Sequence, residues 1–279
     1  MITFDIFKKR KINHKIFIIG CQRSGTTLMR LILNSHPKIK CYGEIKAYSL
    51  LENYEKKQQI TGYQVPIWTE LFTEYDCIKD LYKENDKIIF IFRDPKEVIA
   101  SMINLGCYRK GCYENDSEMK RNYLNFEAAP SVDKWLGDAN RTFKERFEKE
   151  IKIYKNKKSE NLFKGICYWN YKNESFFRIK EYGWDIIPVH YNTLVSYPQQ
   201  ELERIFDFLN LRWNKKVLNH HKIKHEEGLQ NDMMLGNTNP KRKIDKLSLK
   251  KWKVTLDKPS VKLIEENTKF NYEKLKNYI

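Results

Sequence analysis

The chain has 279 residues, of which 41% are hydrophobic and 14% aromatic, a composition that predicts a folded globular protein and excludes a disordered one. Its 52 Lys and Arg residues exceed its 36 Asp and Glu residues, giving a net charge of +16. This charge favours an anionic partner: a phosphorylated cofactor, an acidic acceptor, a nucleic acid or an anionic membrane. No apolar run approaches ~18 residues, so no transmembrane helix is predicted, and the short charged N-terminus does not match a secretory signal. We therefore expect a cytoplasmic protein.

The six cysteines show neither a CxxC pair nor the spacing of a zinc site. In a reducing compartment such cysteines are expected to be free thiols rather than disulfides. The sequence therefore predicts no metal centre.

The first predicted elements are a strand, a loop and a helix. Residues Lys15–Gly20 (KIFIIG) form an apolar run that ends in glycine, which is typical of a strand buried on both faces of a parallel sheet. From Thr26 onward, leucines and isoleucines recur at helical spacing until Pro37 ends the helix. A strand, loop and helix in this order are the context that a phosphate-binding loop requires.

Strands and helices continue to alternate along the chain. Further strands are predicted at Lys87–Phe92 and Trp184–Tyr191, and further helices at 95–105, 138–158, 161–183, 199–211 and near 258–276. Pro188 indicates that its strand lies at a sheet edge or contains a bulge. We therefore expect an α/β protein, a three-layer P-loop-like fold with a central parallel sheet, as one domain over residues 1–279 with a helical or loop insertion at 106–160.

Residues 18–33 (IIGCQRSGTTLMRLIL) nearly match the phosphate-binding motif GxxxxGK[ST]. Backbone N–H groups at the start of a helix converge on an anion, and the Thr26 and Thr27 hydroxyls add donors. Thr26, however, stands where the motif has lysine, and Arg23 places a positive charge inside the loop. Since nucleoside triphosphatases need that lysine and a metal site, the loop favours a single 5′-phosphate that carries one transferable group.

A second motif, FRDPKEVIASMINL, covers residues 92–105. Arg93 comes at the carboxyl end of a buried strand, the edge at which α/β proteins bind ligands. Ser101 follows about two helical turns later. An arginine and a hydroxyl suit a second phosphate, provided that the loop and helix fold back to bring them together.

The segments QRSGTTLM and FRDPKEVIASM together resemble the 5′-phosphosulfate loop and the 3′-phosphate motif of sulfotransferases that use 3′-phosphoadenosine 5′-phosphosulfate (PAPS). Within that superfamily the sequence is most similar to the protein-tyrosine sulfotransferases. Their pattern RSGTTLMR, HP, Cys and Gly-Glu is matched at 23–30, His36-Pro37, Cys41 and Gly43-Glu44. VHYNTLVSYP (189–198), FDFLNLRW (206–213) and VLNHH (217–221) resemble further blocks of the family.

The resemblance implies PAPS as co-substrate, adenosine 3′,5′-bisphosphate as product and a role for each matching residue. Glu44 matches the catalytic base, which takes the proton of the acceptor hydroxyl. The implied cofactor-binding residues are Arg23, Ser24, Gly25, Thr26 and Thr27 at the 5′-phosphosulfate, Arg93 and Ser101 at the 3′-phosphate, and Tyr191 beside the adenine. If Glu44 is not the base, His14, His36 and His190 are the alternatives.

The chain departs from the family at three points. Gln64, in GYQVP, stands where relatives carry a lysine that steadies the sulfuryl group, and a neutral amide is the weaker donor. Lys46 is a candidate replacement. The second arginine of the 3′-phosphate helix falls at Leu105. The family's later serine has no clear counterpart, although Asn237 and Thr238 are nearby and residues 240–243 (PKRK) are placed to clamp the cofactor.

The sequence thus predicts transfer of a sulfuryl group from PAPS to the hydroxyl of a tyrosine, a sugar or a small molecule by in-line displacement. No metal and no nucleic-acid partner are expected, and neither the acceptor nor the oligomeric state can be read from the sequence. Two alternatives stay open: a P-loop kinase of small molecules and a non-catalytic, basic polyanion-binding protein.

Overall fold

The computed structural model describes residues 14–43, 60–64, 82–104, 157–223, 225 and 238–279. The strands are β1 (Lys15–Gly20), β2 (Ile39–Tyr42), β3 (Ile60–Gln64), β4 (Lys87–Phe92) and β5 (Ile186–His190). The helices are α1 (Thr26–Leu33), α2 (Pro95–Asn104), α3 (Lys157–Glu181), α4 (Tyr191–Ser196), α5 (Pro198–Phe208), α6 (Trp252–Thr255) and α7 (Lys258–Lys276), with a 3₁₀ segment at Lys215–Lys222.

The five strands form one parallel sheet in the order β2-β3-β1-β4-β5. In its centre, Ile18 of β1 lies opposite Gln64 of β3 and Ile89 of β4. Apart from the terminal Gly20, β1 is buried along its whole length, as expected of a strand covered on both faces. The parallel order places the carboxyl ends of all five strands at one edge of the sheet.

Two helical layers cover the sheet, and successive residues of β1 face opposite layers. Ile16 and Ile18 pack with apolar residues of α1 and α5, whereas Phe17 and Ile19 pack with residues of α2, α3 and α7. Trp169 of α3 is fully buried in the second layer. The three-layer α/β architecture predicted from the alternating elements is therefore confirmed.

The strand order reverses at β1. Helix α1, which follows β1, covers one face of the sheet, and α2, which follows β4, covers the other. In open parallel sheets this reversal opens a crevice beyond the carboxyl ends of the two central strands. The loop at 21–25 and the segment that starts at Arg93 both lie there.

Most element predictions agree with the structure. The predicted strands Lys15–Gly20 and Lys87–Phe92 and the last helix are confirmed. The strand predicted at Trp184–Tyr191 is shorter, because Tyr191 begins α4, and Pro188 lies on an edge strand as expected.

The prediction missed β2 and β3, which are short and partly polar. The helix predicted at 138–158, the proposed insertion at 106–160 and Leu105 lie mostly or wholly outside the described residues. Within the described part of the chain, no helix is long and apolar enough to cross a membrane. The cytoplasmic location stays a prediction.

Candidate active site

The loop after β1 depends on two glycines with left-handed backbones. Gly20 has φ +141°, and a Cβ there would lie 2.1 Å from the carbonyl oxygen of Ile91. Gly25 has φ +106° and caps the start of α1. Arg23 also has a positive φ, 68°, a backbone conformation that residues other than glycine rarely adopt. The tight turn holds the loop against β4 and aims the first N–H groups of α1 at the cleft.

The start of α1 lies where the sequence predicts anion binding. Its first-turn N–H groups have no partner within the helix, and the helix dipole favours negative charge there. Gly25, Thr26 and Thr27 line a cavity at this point. Ser24 does not: its side chain is fully buried, and its backbone N–H donates to the Cys21 carbonyl over 3.0 Å.

The structure brings the two predicted phosphate motifs into direct contact. Arg23 Nε donates to Ser101 Oγ over 3.0 Å, and Arg93 Nη1 donates to the Arg23 carbonyl over 3.2 Å. Trp169 Nε1 in turn donates to the Arg93 carbonyl over 3.1 Å. The loop and α2 therefore fold back on each other, as a shared two-phosphate site requires.

The Arg93 guanidinium joins four parts of the chain. Besides the Arg23 carbonyl, it donates from Nε to Glu97 Oε2 over 2.7 Å and from Nη2 to the Ser248 carbonyl over 3.0 Å. The other Glu97 oxygen accepts from the backbone N–H of Lys250 over 2.9 Å. Both Arg93 and Glu97 are buried, so this carboxylate balances the arginine at the cavity wall.

Tyr191 lies between the loop and Arg93. The Arg93 Cζ is 4.2 Å from the centre of its ring, and a Cβ on Gly25 would lie 2.4 Å from the ring. The Tyr191 hydroxyl lies 2.7 Å from Ser248 Oγ. Tyr191 therefore lines the predicted nucleotide site and also ties it to residue 248.

On the other side of the loop, Gln64 reaches the threonines. Its Nε2 donates to Thr26 Oγ1 over 3.3 Å and to Thr27 Oγ1 over 3.2 Å, while its Oε1 accepts from Arg30 Nε over 2.9 Å. Gln64 is 1% exposed and Arg30 2%. The segment in which Gln64 was matched to the family's lysine thus lies at the phosphate loop.

The cavity at the loop has a volume of about 430 Å³. This size is within the range that binds a nucleotide-sized ligand. The charged residues among its described lining are five basic side chains and two carboxylates: Arg23, Arg93, Arg242, Lys243, Lys251, Glu97 and Asp245. Hydrogen bonds from Arg242 hold the pKa of Asp245 below its ordinary value, so Asp245 stays ionised and orients Arg242. The excess of positive charge suits an anion with more than one phosphate.

Residues 240–243, which were predicted to clamp the cofactor, contribute Arg242 and Lys243 to the lining, and Thr238 lies there too. Glu44, Lys46 and Asn237 lie outside the described residues. Gly43 is described: it follows β2 at the carboxyl edge of the sheet, where a Cβ would lie 3.4 Å from Arg30 Cζ. No three metal-ligating side chains converge within the described ranges.

The three alternative histidines are not among the described residues that line the cavity. His14 precedes β1 and so lies at the opposite end of the sheet. His36 contacts the Arg212 carbonyl through Nε2 and accepts from the Lys38 N–H at Nδ1.

His190 lies 3.0 Å from the Tyr272 hydroxyl, and burial lowers its pKa to about 4. A histidine with that pKa is a weak base at neutral pH. None of the three is among the described residues that line the cavity, and Glu44 stays the predicted base.

Sequence reasoning missed several residues at the cavity. Glu97 stood inside the quoted motif at 92–105 but was given no role, and Trp252 belongs to no motif. Ser248 meets Arg93 across 155 positions of sequence. Arg30 stood inside the quoted RSGTTLMR block, but only its contact with Gln64 shows how it takes part.

Comparison with known sequences shows that this chain is similar to sulfotransferases. Residues 15–68, from β1 to just past β3, match the model of the Sulfotransferase family. A Caenorhabditis briggsae protein named as a protein-tyrosine sulfotransferase is 24% identical, over 85% of this chain and 80% of its own length. Protein-tyrosine sulfotransferase 1 of Danio rerio is also 24% identical over 75% of this chain. The chain spans only 56% of that zebrafish protein and 53% of a Caenorhabditis elegans relative.

Solved sulfotransferases share the fold. The sulfotransferase domain of the curacin biosynthetic pathway aligns with a TM-score of 0.54 at 15% identity, covering 92% of this chain and 97% of that domain. A mouse sulfotransferase in complex with PAP aligns with a TM-score of 0.51 at 16% identity, over 96% of this chain and 90% of its own. The sequence comparison confirms the resemblance found in the motifs, and the structural comparison confirms the predicted fold.

Proposed function

We propose that this chain, a relative of sulfotransferases by sequence and by fold, transfers a sulfuryl group from PAPS to an acceptor hydroxyl. The acceptor oxygen attacks sulfur, the bond from sulfur to the 5′-phosphate oxygen breaks, and adenosine 3′,5′-bisphosphate leaves. The acceptor's proton passes to a base. Each residue of the described site has a role in binding or orienting the donor.

The observation that carries the proposal is the contact of the two phosphate motifs at one basic cavity. Arg93 and Ser101 contact Arg23 of the loop, and Thr26 and Thr27 at the start of α1 line the same cavity. Two separate groups of anion donors suit a ligand with two phosphates on one ribose. A nucleoside triphosphate would instead call for a lysine at position 26.

The proposed base is Glu44. Its neighbour Gly43 is at the carboxyl edge of the sheet, as are Gln64 and the loop. A carboxylate beyond β2 would act on the acceptor and leave the nucleotide contacts to other residues. The leaving phosphate's charge would be met by the first-turn N–H groups of α1 and the threonine hydroxyls.

Isothermal titration of the protein with adenosine 3′,5′-bisphosphate, AMP, ADP and ATP tests the donor. We expect the bisphosphate to bind tightest, because only it reaches both groups of donors. Equal affinity for AMP would refute the second phosphate site, and preferential, Mg²⁺-dependent binding of ATP would favour a kinase.

The acceptor needs a separate assay. Transfer of label from [³⁵S]PAPS should be screened against tyrosine peptides, glycans and phenols, and we expect product with one hydroxyl class. Absence of transfer, together with salt-sensitive binding of nucleic acid and no binding of the bisphosphate, would indicate a polyanion-binding protein instead.

A further inference from the structure

A hydrogen-bonded series of side chains leads from buried Arg30 through Gln64 to the two threonines at the cavity. We propose that Gln64 is a positioning residue, which turns the hydroxyl protons of Thr26 and Thr27 toward a bound anion. This inference rests on the proposed function and concerns the same site.

The first step is the orientation of the Gln64 amide. The Arg30 Nε–H can only donate, so the atom of Gln64 that lies 2.9 Å from it must be the carbonyl oxygen. The amide nitrogen then faces the threonines. As an NH₂ group it has two hydrogens, one for each hydroxyl.

The second step concerns the hydroxyls. Each threonine oxygen lies 3.2–3.3 Å from Gln64 Nε2 and accepts a hydrogen bond from it. A hydroxyl that accepts in this way keeps its own proton to donate elsewhere. Because Thr26 and Thr27 line the cavity, those two protons are available to an anion there.

The third step is that burial holds the arrangement in place. Gln64 is 1% exposed and Arg30 2%, so water does not reach either side chain, and losing one partner would leave the other without that hydrogen bond. The Arg30 charge acts through a neutral amide. A glutamine here therefore orients the threonine hydroxyls, where a lysine would place its own ammonium beside the anion.

A double-mutant cycle tests whether Gln64 acts through the threonines. The affinity for adenosine 3′,5′-bisphosphate is measured for the wild type, Gln64→Met, Thr27→Val and the double variant. We expect each single change to weaken binding about three- to tenfold, as for loss of a neutral hydrogen bond. In the Thr27→Val background, Gln64→Met should weaken binding clearly less than in the wild type. Independent effects that multiply would overturn the inference.

Gln64→Glu provides a variant that should fold well. A carboxylate of the same shape pairs with Arg30, and it accepts hydrogen bonds from the threonines, which turns their protons away from the cavity. We expect an unchanged or higher melting temperature but at least about tenfold weaker binding of the bisphosphate.

The control repeats Gln64→Glu in a protein that carries Thr26→Val and Thr27→Val. The loss should shrink there if the hydroxyls transmit the effect, and a loss that persists in full would show simple charge repulsion and overturn the inference. If the wild type binds no bisphosphate, the proposed function fails, and this inference fails with it. If the wild type binds but the cycle is additive, only the inference fails.

Discussion

The two sides of the phosphate loop use buried arginines differently. On the β3 side, Arg30 contacts the neutral amide of Gln64, which in turn contacts the threonine hydroxyls. On the β4 side, Arg93 contacts the carboxylate of Glu97 and lies at the cavity itself. In the proposed site, an anion on the β4 side meets an arginine whose charge Glu97 partly balances, whereas on the β3 side it meets hydroxyls that Gln64 orients. We therefore expect charge to govern anion binding on the β4 side and hydrogen-bond orientation to govern it on the β3 side.

The largest expected effect comes from the proposed base, which should act on the acceptor, whereas both sides of the loop should act on the nucleotide. Glu44→Gln removes the proposed base while keeping the shape of the side chain, and general-base catalysis is typically worth about 10²–10⁴-fold. Turnover should fall by that factor, and affinity for adenosine 3′,5′-bisphosphate should stay nearly constant. Steady-state transfer assays and titrations measure both quantities. Normal turnover in this variant would show that another residue is the base.

Arg93→Ala should break the β4 side alone. Loss of a charged hydrogen-bond donor is expected to weaken binding of the bisphosphate by about 1.5–3 kcal/mol. Binding of AMP, which lacks the 3′-phosphate, should change much less. Titration of both nucleotides against the variant gives the comparison. An equal loss for AMP would mean that Arg93 supports the loop only by holding the Arg23 carbonyl.

Acid should lower the stability of the fold on both the β3 side and the β4 side of the loop, because a buried histidine lies on each side. Burial lowers the pKa of His220, in the 3₁₀ segment near α1, and of His190, next to Phe92, to about 4. The unfolded chain, with a histidine pKa near 6.5, binds more protons between these values, so stability is full above pH 6.5 and falls as the pH drops toward 4.

For His220, which is 0% exposed, the loss between pH 7 and 5 should be about 1–2 kcal/mol. Urea unfolding at several pH values measures it. His220→Gln should flatten the pH dependence, and an unchanged slope would contradict a neutral buried imidazole.

The smallest expected effect concerns the Glu97 carboxylate, which balances the charge of Arg93. Glu97→Gln keeps an acceptor but removes the charge, and should lower the stability of the free protein by about 1 kcal/mol. With saturating bisphosphate, the difference in stability between the wild type and Glu97→Gln should become smaller, because the 3′-phosphate then pairs with Arg93. Melting temperatures with and without nucleotide test this. Leu247→Ala, at a residue 73% exposed, is the matched control and should change neither value.

Local patterns were sufficient to predict the central strands and the loop, but not the sheet's β2–β3 side. KIFIIG and KIIFIF are continuous apolar runs, and the glycines and threonines between 20 and 27 form a motif. Strand β3 (ITGYQ) contains Gly62, which normally argues against a strand interior. The structure explains this glycine: a Cβ there would lie 2.3 Å from Cys41 Sγ of the neighbouring strand.

The site was predictable only where each residue belongs to a motif. Arg23, Arg93 and Ser101 were predicted, and the structure brings them together. The balance of Arg93 by Glu97 was not, although the two are four residues apart, because such a pair is usually a solvated surface contact on a helix. The Arg93–Glu97 pair contacts residues 248–250, and no local sequence pattern predicts that contact.

The long-range contacts of Arg93 also bear on how the protein is made. Its guanidinium joins Arg23, Glu97 and Ser248, so the cavity needs segments that lie far apart in the sequence. During synthesis the loop at Arg23 leaves the ribosome more than 200 residues before Ser248 does. Until then the loop and α2 lack their contacts with residues 248–250. Such non-local contacts form slowly, because distant segments must first come together. A nascent chain can therefore complete the wall of this cavity only after residues 248–250 have been made.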